Sequence, residues 1–314
     1  MHKTGYFTHP DCRRHDMGRG HPECPERIDA IQDRMLASRL LDAVEQREAP
    51  LASPEVLELA HDPAHVAAMT GIAQEASEEG GDGLVFIDPD TAMNPYTWNA
   101  VLRAAGAAVA ATDAVIAGEL ENAFCATRPP GHHACRSRAM GFCVFNNVAV
   151  AARHALEHHG LQRVAIVDFD VHPGNGTEDI LSNDPRVLMV GIFQHPFYPY
   201  SGFGAHADNM VNLPIPAYTK GPAIREAIAK HWLPKLEEFR PEMIFVSAGF
   251  DAHREDDLGQ LGLVEADYTW MTEQIMDVAK RHAKGRIVSC LEGGYNLDAL
   301  GRSVEAHVRA LAQV

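Results

Sequence analysis

The chain has 314 residues, 46% of them apolar, and no long region lacks apolar residues, so a large buried core is feasible and wholesale disorder is excluded. Lys and Arg number 27 against 43 Asp and Glu, a net charge of −16 that argues against nucleic acid or an anionic membrane as partner and suits a cationic substrate. Six cysteines without a CxxC pair exclude a disulfide scaffold and a Cys-rich metal site.

The N-terminal segment has no apolar run of the signal-peptide kind, and no apolar stretch reaches about eighteen residues, so a soluble, cytoplasmic chain is expected. Residues 1–24 are polar and rich in His, Gly and Pro, which predicts loop. Pro25 and Glu26 suit the first turn of a helix, and Ile28, Ile31, Met35 and Leu40 or Leu41 continue it as an apolar stripe. Residues 54–80 predict two helical stretches broken near Asp62-Pro63, and residues 80–83 a turn. An Ala-rich helix spans 99–120. Apolar runs at 122–127, 163–168, 186–192, 243–248 and 286–291 read as buried parallel strands. Helical stretches at 145–159, 222–239 and 264–284 separate them, and a last helix runs over about 297–312. Strand alternating with helix predicts an α/β fold, and the absence of a linker or repeat predicts one domain over 1–314.

Polar clusters follow the strand ends, the edge at which open α/β sheets build sites. The first is Arg128-Pro129-Pro130-Gly131-His132-His133, a rigid turn that exposes two histidines. The second delivers Asp168, Asp170 and His172 at alternating positions after a deeply apolar run. Residues two apart in extended chain share a face, and buried ionisable groups need a metal or partners. The third ends in Asp251. Asp170, His172 and Asp251 make three ligands and leave a position for water, a catalytic zinc layout. His253 competes as a ligand on spacing alone. Asp256 and Asp257 read as solvated loop residues. The fourth cluster, Leu291-Glu292-Gly293-Gly294-Tyr295, presents a tyrosine that can donate to an oxyanion.

In this order the clusters resemble the histone deacetylase family of zinc amidohydrolases. The resemblance rests on His21-Pro22-Glu23 with Pro25-Glu26-Arg27, RPPGHHA at 128–134, GFCVFNN at 141–147, DFDVHPGNGT at 168–177, SAGFDAH at 247–253 and LEGGY at 291–295. Pro173 and Asn175 make the wording closer to the class II and bacterial amidohydrolase branch, related to acetylpolyamine amidohydrolases. The resemblance implies an arginase-like fold, a parallel sheet of about eight strands with helices on both faces. It implies one zinc ion on Asp170, His172 and Asp251, and hydrolysis of an acetyl or longer acyl group from a lysine-like amine. His132 and His133 would contact the attacking water, with Asp168 behind His132 and Asn175 behind His133. Tyr295 would stabilise the oxyanion.

The same resemblance implies a substrate tunnel walled by Phe142 and Tyr198, with the Gly141 carbonyl on the substrate amide; the paired glycines Gly293 and Gly294 allow a special turn and close substrate approach. It implies a potassium site on Asp168 and the carbonyls of Asp170 and His172. Gly191 stands where a serine often joins that site, Phe193 where a histidine is usual, and Tyr200-Ser201-Gly202 departs from the commoner loop. Leu258 falls at the gate where polyamine-selective relatives carry an acid, which points to acetylated lysine in peptides or proteins. Acetylated polyamines are the alternative substrate. A two-manganese ureohydrolase and a non-catalytic acyl-lysine binding module are competing readings; the DFDVHPGN and GGY motifs oppose the first, and the intact ligand and tyrosine positions oppose the second. Oligomeric state is not legible.

Overall fold

The computed structural model describes residues 3–80, 83–204 and 207–314. In chain order these form β1 (Thr4–Thr8), α1 (Asp11–Arg14), α2 (Glu26–Ala37), β2 (Glu45–Glu48), α3 (Pro54–Leu57), α4 (Pro63–Glu79), β3 (Val85–Phe86), β4 (Ala92–Met93) and α5 (Thr97–Ile116). They continue with β5 (Asn122–Cys125), α6 (Asn147–Glu157), β6 (Val164–Asp168), α7 (Asn175–Leu181), β7 (Val187–Gln194), β8 (Met210–Ile215) and α8 (Gly221–Phe239). The last are β9 (Met243–Ala248), α9 (Glu265–His282), β10 (Ile287–Leu291) and α10 (Leu297–Ala312). Part of the turn expected at residues 80–83 lies outside the described residues.

The main sheet has eight strands in the order β2-β1-β5-β10-β9-β6-β7-β8, every pair parallel. Successive strand residues feed opposite cores, as a two-residue period requires. In β6, Val164 and Ile166 pack with α4, α5 and α6, while Ala165 and Val167 pack with α2, α8, α9 and α10. This is the arginase-like architecture expected. Among the described residues α5 is the one helix long and apolar enough to cross a membrane, and 67% of that window is buried inside the protein.

The expectation of loop over residues 1–24 is corrected. Thr4–Thr8 is a buried strand beside β5, and Asp11–Arg14 is a short helix. Gly5 makes the strand fit, because a Cβ there would lie 2.5 Å from Leu120 Cδ1. The edge strands β2 and β8 also went unread. β2 is Glu-Gln-Arg-Glu and β8 carries Pro214, the charged and proline-bearing sequences that keep a sheet edge from pairing further.

His307 of α10 ties the second core together. Its ring nitrogens meet Thr272 Oγ1 of α9 at 2.7 Å and Ser289 Oγ of β10 at 2.9 Å. Burial pushes its pKa down to about 3. Below the usual imidazole range of about 6.5 the unfolded chain takes up a proton that the folded chain refuses. Stability from this group is therefore full above that value and lost as pH falls toward about 3, at about 1.4 kcal/mol per pH unit. Urea unfolding at about pH 7 and about pH 5, with saturating zinc, should show a loss that is about 2 kcal/mol smaller in His307→Asn. Equal losses in both proteins would assign the acid sensitivity elsewhere.

Candidate active site and metal centre

The four polar clusters follow β5, β6, β9 and β10, and these are the four adjacent central strands of the sheet. All are parallel, so segments far apart in sequence arrive at one edge. Register sets their depth. Asp168 lies opposite Ser247, and Leu291 opposite Ala248, so each chain leaves the sheet at a similar level.

Asp170, His172 and Asp251 offer ligand atoms within 4.8 Å of one another. His172 Nδ1 is 3.0 Å from Asp170 Oδ1 and 3.2 Å from Asp251 Oδ2. Both carboxylates are buried, at 1% and 0% exposed, and Asp251 Oδ2 has no hydrogen-bond partner. Their other oxygens are fixed by backbone N–H groups: Val171 donates to Asp251 Oδ1, and Gly293 donates to Asp170 Oδ2. Gly293 is needed for that approach, since a Cβ there would come 2.1 Å from Asp251 Oδ2.

Electrostatics show what the cluster lacks. Burial and the neighbouring Asp170 push Asp251 up to about 7. Burial opposes charge on His172, but the hydrogen bond to Asp170 and the negative charges of Asp251 and Asp170 outweigh it and push the imidazole up to about 9. The two carboxylates thus favour positive charge beside them. Two carboxylates and one imidazole fit zinc, and a divalent ion would satisfy the orphaned Asp251 oxygen.

Beside this trap stand two histidines in unlike settings. His132 Nδ1 is 3.0 Å from Asp168 Oδ2, and His133 Nδ1 is 2.6 Å from Asn175 Oδ1. Burial alone would lower His132, but Asp170 and Asp168 hold it well above the usual imidazole range. Burial, with the charges of His132 and His172, holds His133 well below that range. The backbone of Gly141 rests on the His133 ring, because a Cβ at this positive-φ position would meet Cδ2 at 2.5 Å.

Aromatic rings surround the approach. Tyr198 stands edge-on to His133 at 5.5 Å and to His172 at 6.1 Å, and Phe197 stacks on His172 at 5.2 Å. Phe142 faces Tyr295 at 5.9 Å and His21 at 4.6 Å. Burial, reinforced by the charges of Asp251 and Asp170, holds the Tyr295 phenol well above its usual value, so it stays protonated as a donor. Leu258 is half-buried in the loop after Asp251, its N–H on Asp256 Oδ1. Gly294 turns its carbonyl to Arg27 Nε at 2.7 Å.

One open sequence reading is settled here and another is corrected. His253 lies outside the ligand cluster; its Nε2 is 3.6 Å from Glu265. Asp256 is not solvated but 5% exposed, and its Oδ2 accepts from the N–H groups of Tyr295 and Asn296 at 2.6 and 3.0 Å. It fixes the tyrosine's turn.

Several residues had no role assigned from the sequence. Glu292 is fully buried and accepts from the N–H groups of Gly131 and His132 and from Ser247 Oγ, so it shapes the histidine turn. Glu23 pairs with both Arg128 and Arg27, and Arg27 donates to the carbonyls of Glu292 and Gly294. Asp88 and Asp90 come close enough to Tyr198 to raise its pKa, after burial. Only long-range pairing distinguishes these residues from ordinary loop charges.

A cation trap facing a histidine pair of unlike protonation is the equipment of a metal-dependent hydrolase, and the fold and site define that class. A family model described as histone deacetylase domain matches residues 21–311. A histone deacetylase-like amidohydrolase from Pseudomonas aeruginosa is 39% identical over 88% of this chain and 73% of its own. The polyamine deacetylase HDAC10 of Mus musculus is 39% identical over 92% of this chain and 44% of its own. The crystal structure of the HDA15 HD domain superposes with a TM-score of 0.93 at 31% identity, covering 100% of this chain and 90% of that one. The chain belongs to the histone deacetylase family. It is an enzyme, a deacetylase-type amidohydrolase for acyl-lysine-like substrates.

Proposed function

We propose that the chain, acting as one catalytic domain, removes acetyl or longer acyl groups from lysine side chains of peptides or proteins. The observation that carries this is the Asp170/His172/Asp251 cluster set against His132, His133 and Tyr295. A single zinc ion held there would polarise the acyl carbonyl and lower the pKa of a bound water. His133, kept neutral beside Asn175, takes the proton of the attacking water and then returns it to the leaving amine. His132, charged against Asp168, stabilises the negative charge that develops. Tyr295 donates its hydroxyl to the oxyanion. Phe142 and Tyr198 flank the aliphatic acyl-lysine stem, Gly141 offers its carbonyl to the substrate amide, and Gly293 and Gly294 form the turn behind. A potassium ion behind the metal would use Asp168 and the carbonyls of Asp170 and His172. Gly191, opposite Asp168 in the ladder, brings no hydroxyl to it.

The half-buried Leu258 supports a peptide rather than a polyamine at the mouth. The acids around it are largely committed. Asp256 is buried on three backbone N–H groups, and Glu255 pairs with Arg302 at 2.7 Å. Asp88 and Asp90, close to Tyr198, are the observation that favours an acetylated polyamine as second reading.

The test is kcat/KM across acetyl-lysine peptides, longer acyl-lysine peptides and acetylated polyamines, with zinc-stripped enzyme as blank. Zinc-dependent turnover favouring peptides is expected. A preference for acetylpolyamines would overturn the Leu258 argument and make the acids beside Tyr198 the selector. Absence of turnover on every member would overturn the acyl-lysine assignment.

A further inference from the structure

The C-terminal ends of α5 and α6 carry a second set of ligand-type side chains. His154 Nε2 and His159 Nε2 each lie 2.7 Å from the same oxygen, Asp113 Oδ1. One ligand atom from each of the three residues falls within 4.8 Å of the others. A third imidazole is adjacent: the His158 ring is 4.8 Å from that of His154. His154 and His158 are four residues apart at the end of α6, on one face.

The surroundings leave this cluster without a competing cation. Arg153 is engaged with Asp184 and the Ile180 carbonyl, and Arg186 with Glu157 and Asp184. Among the described residues Asp113 forms ion pairs with His154 and His159 alone. His154 is 9% exposed, and its Nδ1 has no hydrogen-bond partner. Asp113 and His159 face solvent, so an ion can reach them.

We propose that Asp113, His154 and His159 form a second divalent-metal site, taking a borderline transition ion such as Zn2+ or Ni2+. Two imidazoles and one carboxylate are a donor set that such ions prefer over Mg2+ or Ca2+. Three protein ligands leave a position for water or for His158. Binding joins α5 to α6 and replaces a shared hydrogen bond by coordination.

The site is separate from Asp170, His172 and Asp251. Active-site segments leave the C-terminal ends of the strands, and α6 begins just after one of them, at Asn147. The helix then runs back along the sheet for 11 residues, about 16 Å at about 1.5 Å per residue. His154 and His159 therefore lie toward the opposite edge, and the two ions titrate independently.

The test is equilibrium dialysis of the tag-free chain against zinc, read as metal per chain by atomic emission. The expected result is two ions at saturation, the second weaker. Asp113→Asn and His159→Gln alter solvent-facing side chains, and each should weaken the second ion at least about tenfold, since even outer-sphere changes at metal sites cost 10–100-fold. Both variants should keep one ion and unchanged deacylation. Asp170→Asn should lose the other ion and retain the second at its original affinity, with zinc still raising the melting temperature. Saturation at one ion per chain in the unmodified protein would overturn the proposal. So would a second ion that persists at full affinity in the Asp113→Asn/His159→Gln double variant.

Discussion

Replacing Tyr295 with Phe should lower kcat by about 10²–10³, the effect of deleting one preorganised oxyanion donor. KM and the metal content at the catalytic site should stay close to those of the parent. The substitution removes one oxygen and nothing that positions the ring. The turn is held through backbone, by Asp256 on the N–H groups of residues 295 and 296. The ring is held by the Arg27 guanidinium 4.9 Å from its centroid and by Phe142. An unprotonated phenol would be useless as a donor. Burial and the charges of Asp251 and Asp170 keep the proton in place across the working range. Steady-state kinetics on the preferred acyl-lysine peptide, with binding of the same peptide measured separately, would check the expectation. A kcat within about threefold of the parent would remove Tyr295 from the oxyanion role. Unchanged turnover together with unchanged binding would revive the acyl-lysine reader.

The protonation split of the histidine pair explains why the neighbouring amide matters. Asn175 can orient His133 without adding negative charge, whereas Asp170 and Asp168 favour the charged form of His132. A base must be neutral to accept a proton, so under the proposed mechanism the carboxylates beside His132, and the burial and imidazole charges around His133, would divide the work between two adjacent residues of the same type.

The central strands were readable because strands buried on both faces are continuous apolar runs; β9 was bounded to the residue. Two members of the cluster, Asp170 and His172, were readable because they follow such a run at alternating positions with Asp168, where unpaired charge is too costly to be incidental, whereas spacing left Asp251 in competition with His253. The edges were not readable. Glu-Gln-Arg-Glu in β2 has the composition of a solvated loop, and only its ladder with β1 makes it a strand. Buried charges in polar segments were equally silent. Asp256 looks like its exposed neighbour Asp257 until the GGY turn is brought over it, and Glu292 looks like a motif letter until it receives the N–H groups of residues 131 and 132. Partners 39 to 161 residues away leave no trace in local pattern.

The N-terminal motif gives the largest expected loss of stability. Glu23 is fully buried between two guanidiniums that are buried as well. Arg128 donates to both of its oxygens, Nη2 at 2.6 Å, and Arg27 Nη1 donates at 3.0 Å, with His15 Nε2 at 3.2 Å. Burial alone would raise its pKa, yet Arg128, His15 and Arg27 hold the carboxyl well below the usual range. Glu23→Gln keeps the shape and removes the charge, leaving two guanidiniums facing each other away from water. Breaking a buried pair in this way costs roughly 3–5 kcal/mol. Denaturant unfolding with saturating zinc should report a loss of that size, and a change within about 1 kcal/mol would mean that water or relaxation neutralises the arginines instead. Activity should fall in the same variant for a geometric reason. Arg27 carries the carbonyls of Glu292 and Gly294 and lies over Tyr295, so a displaced Arg27 moves the turn that holds both the oxyanion donor and the Gly293 N–H on Asp170. Added zinc should not restore kcat, because the defect lies in the turn rather than in the supply of metal. Glu23, more than 140 positions before the first candidate metal ligand, is thus tied to the last polar cluster through Arg27, while Arg128 shares the same carboxylate.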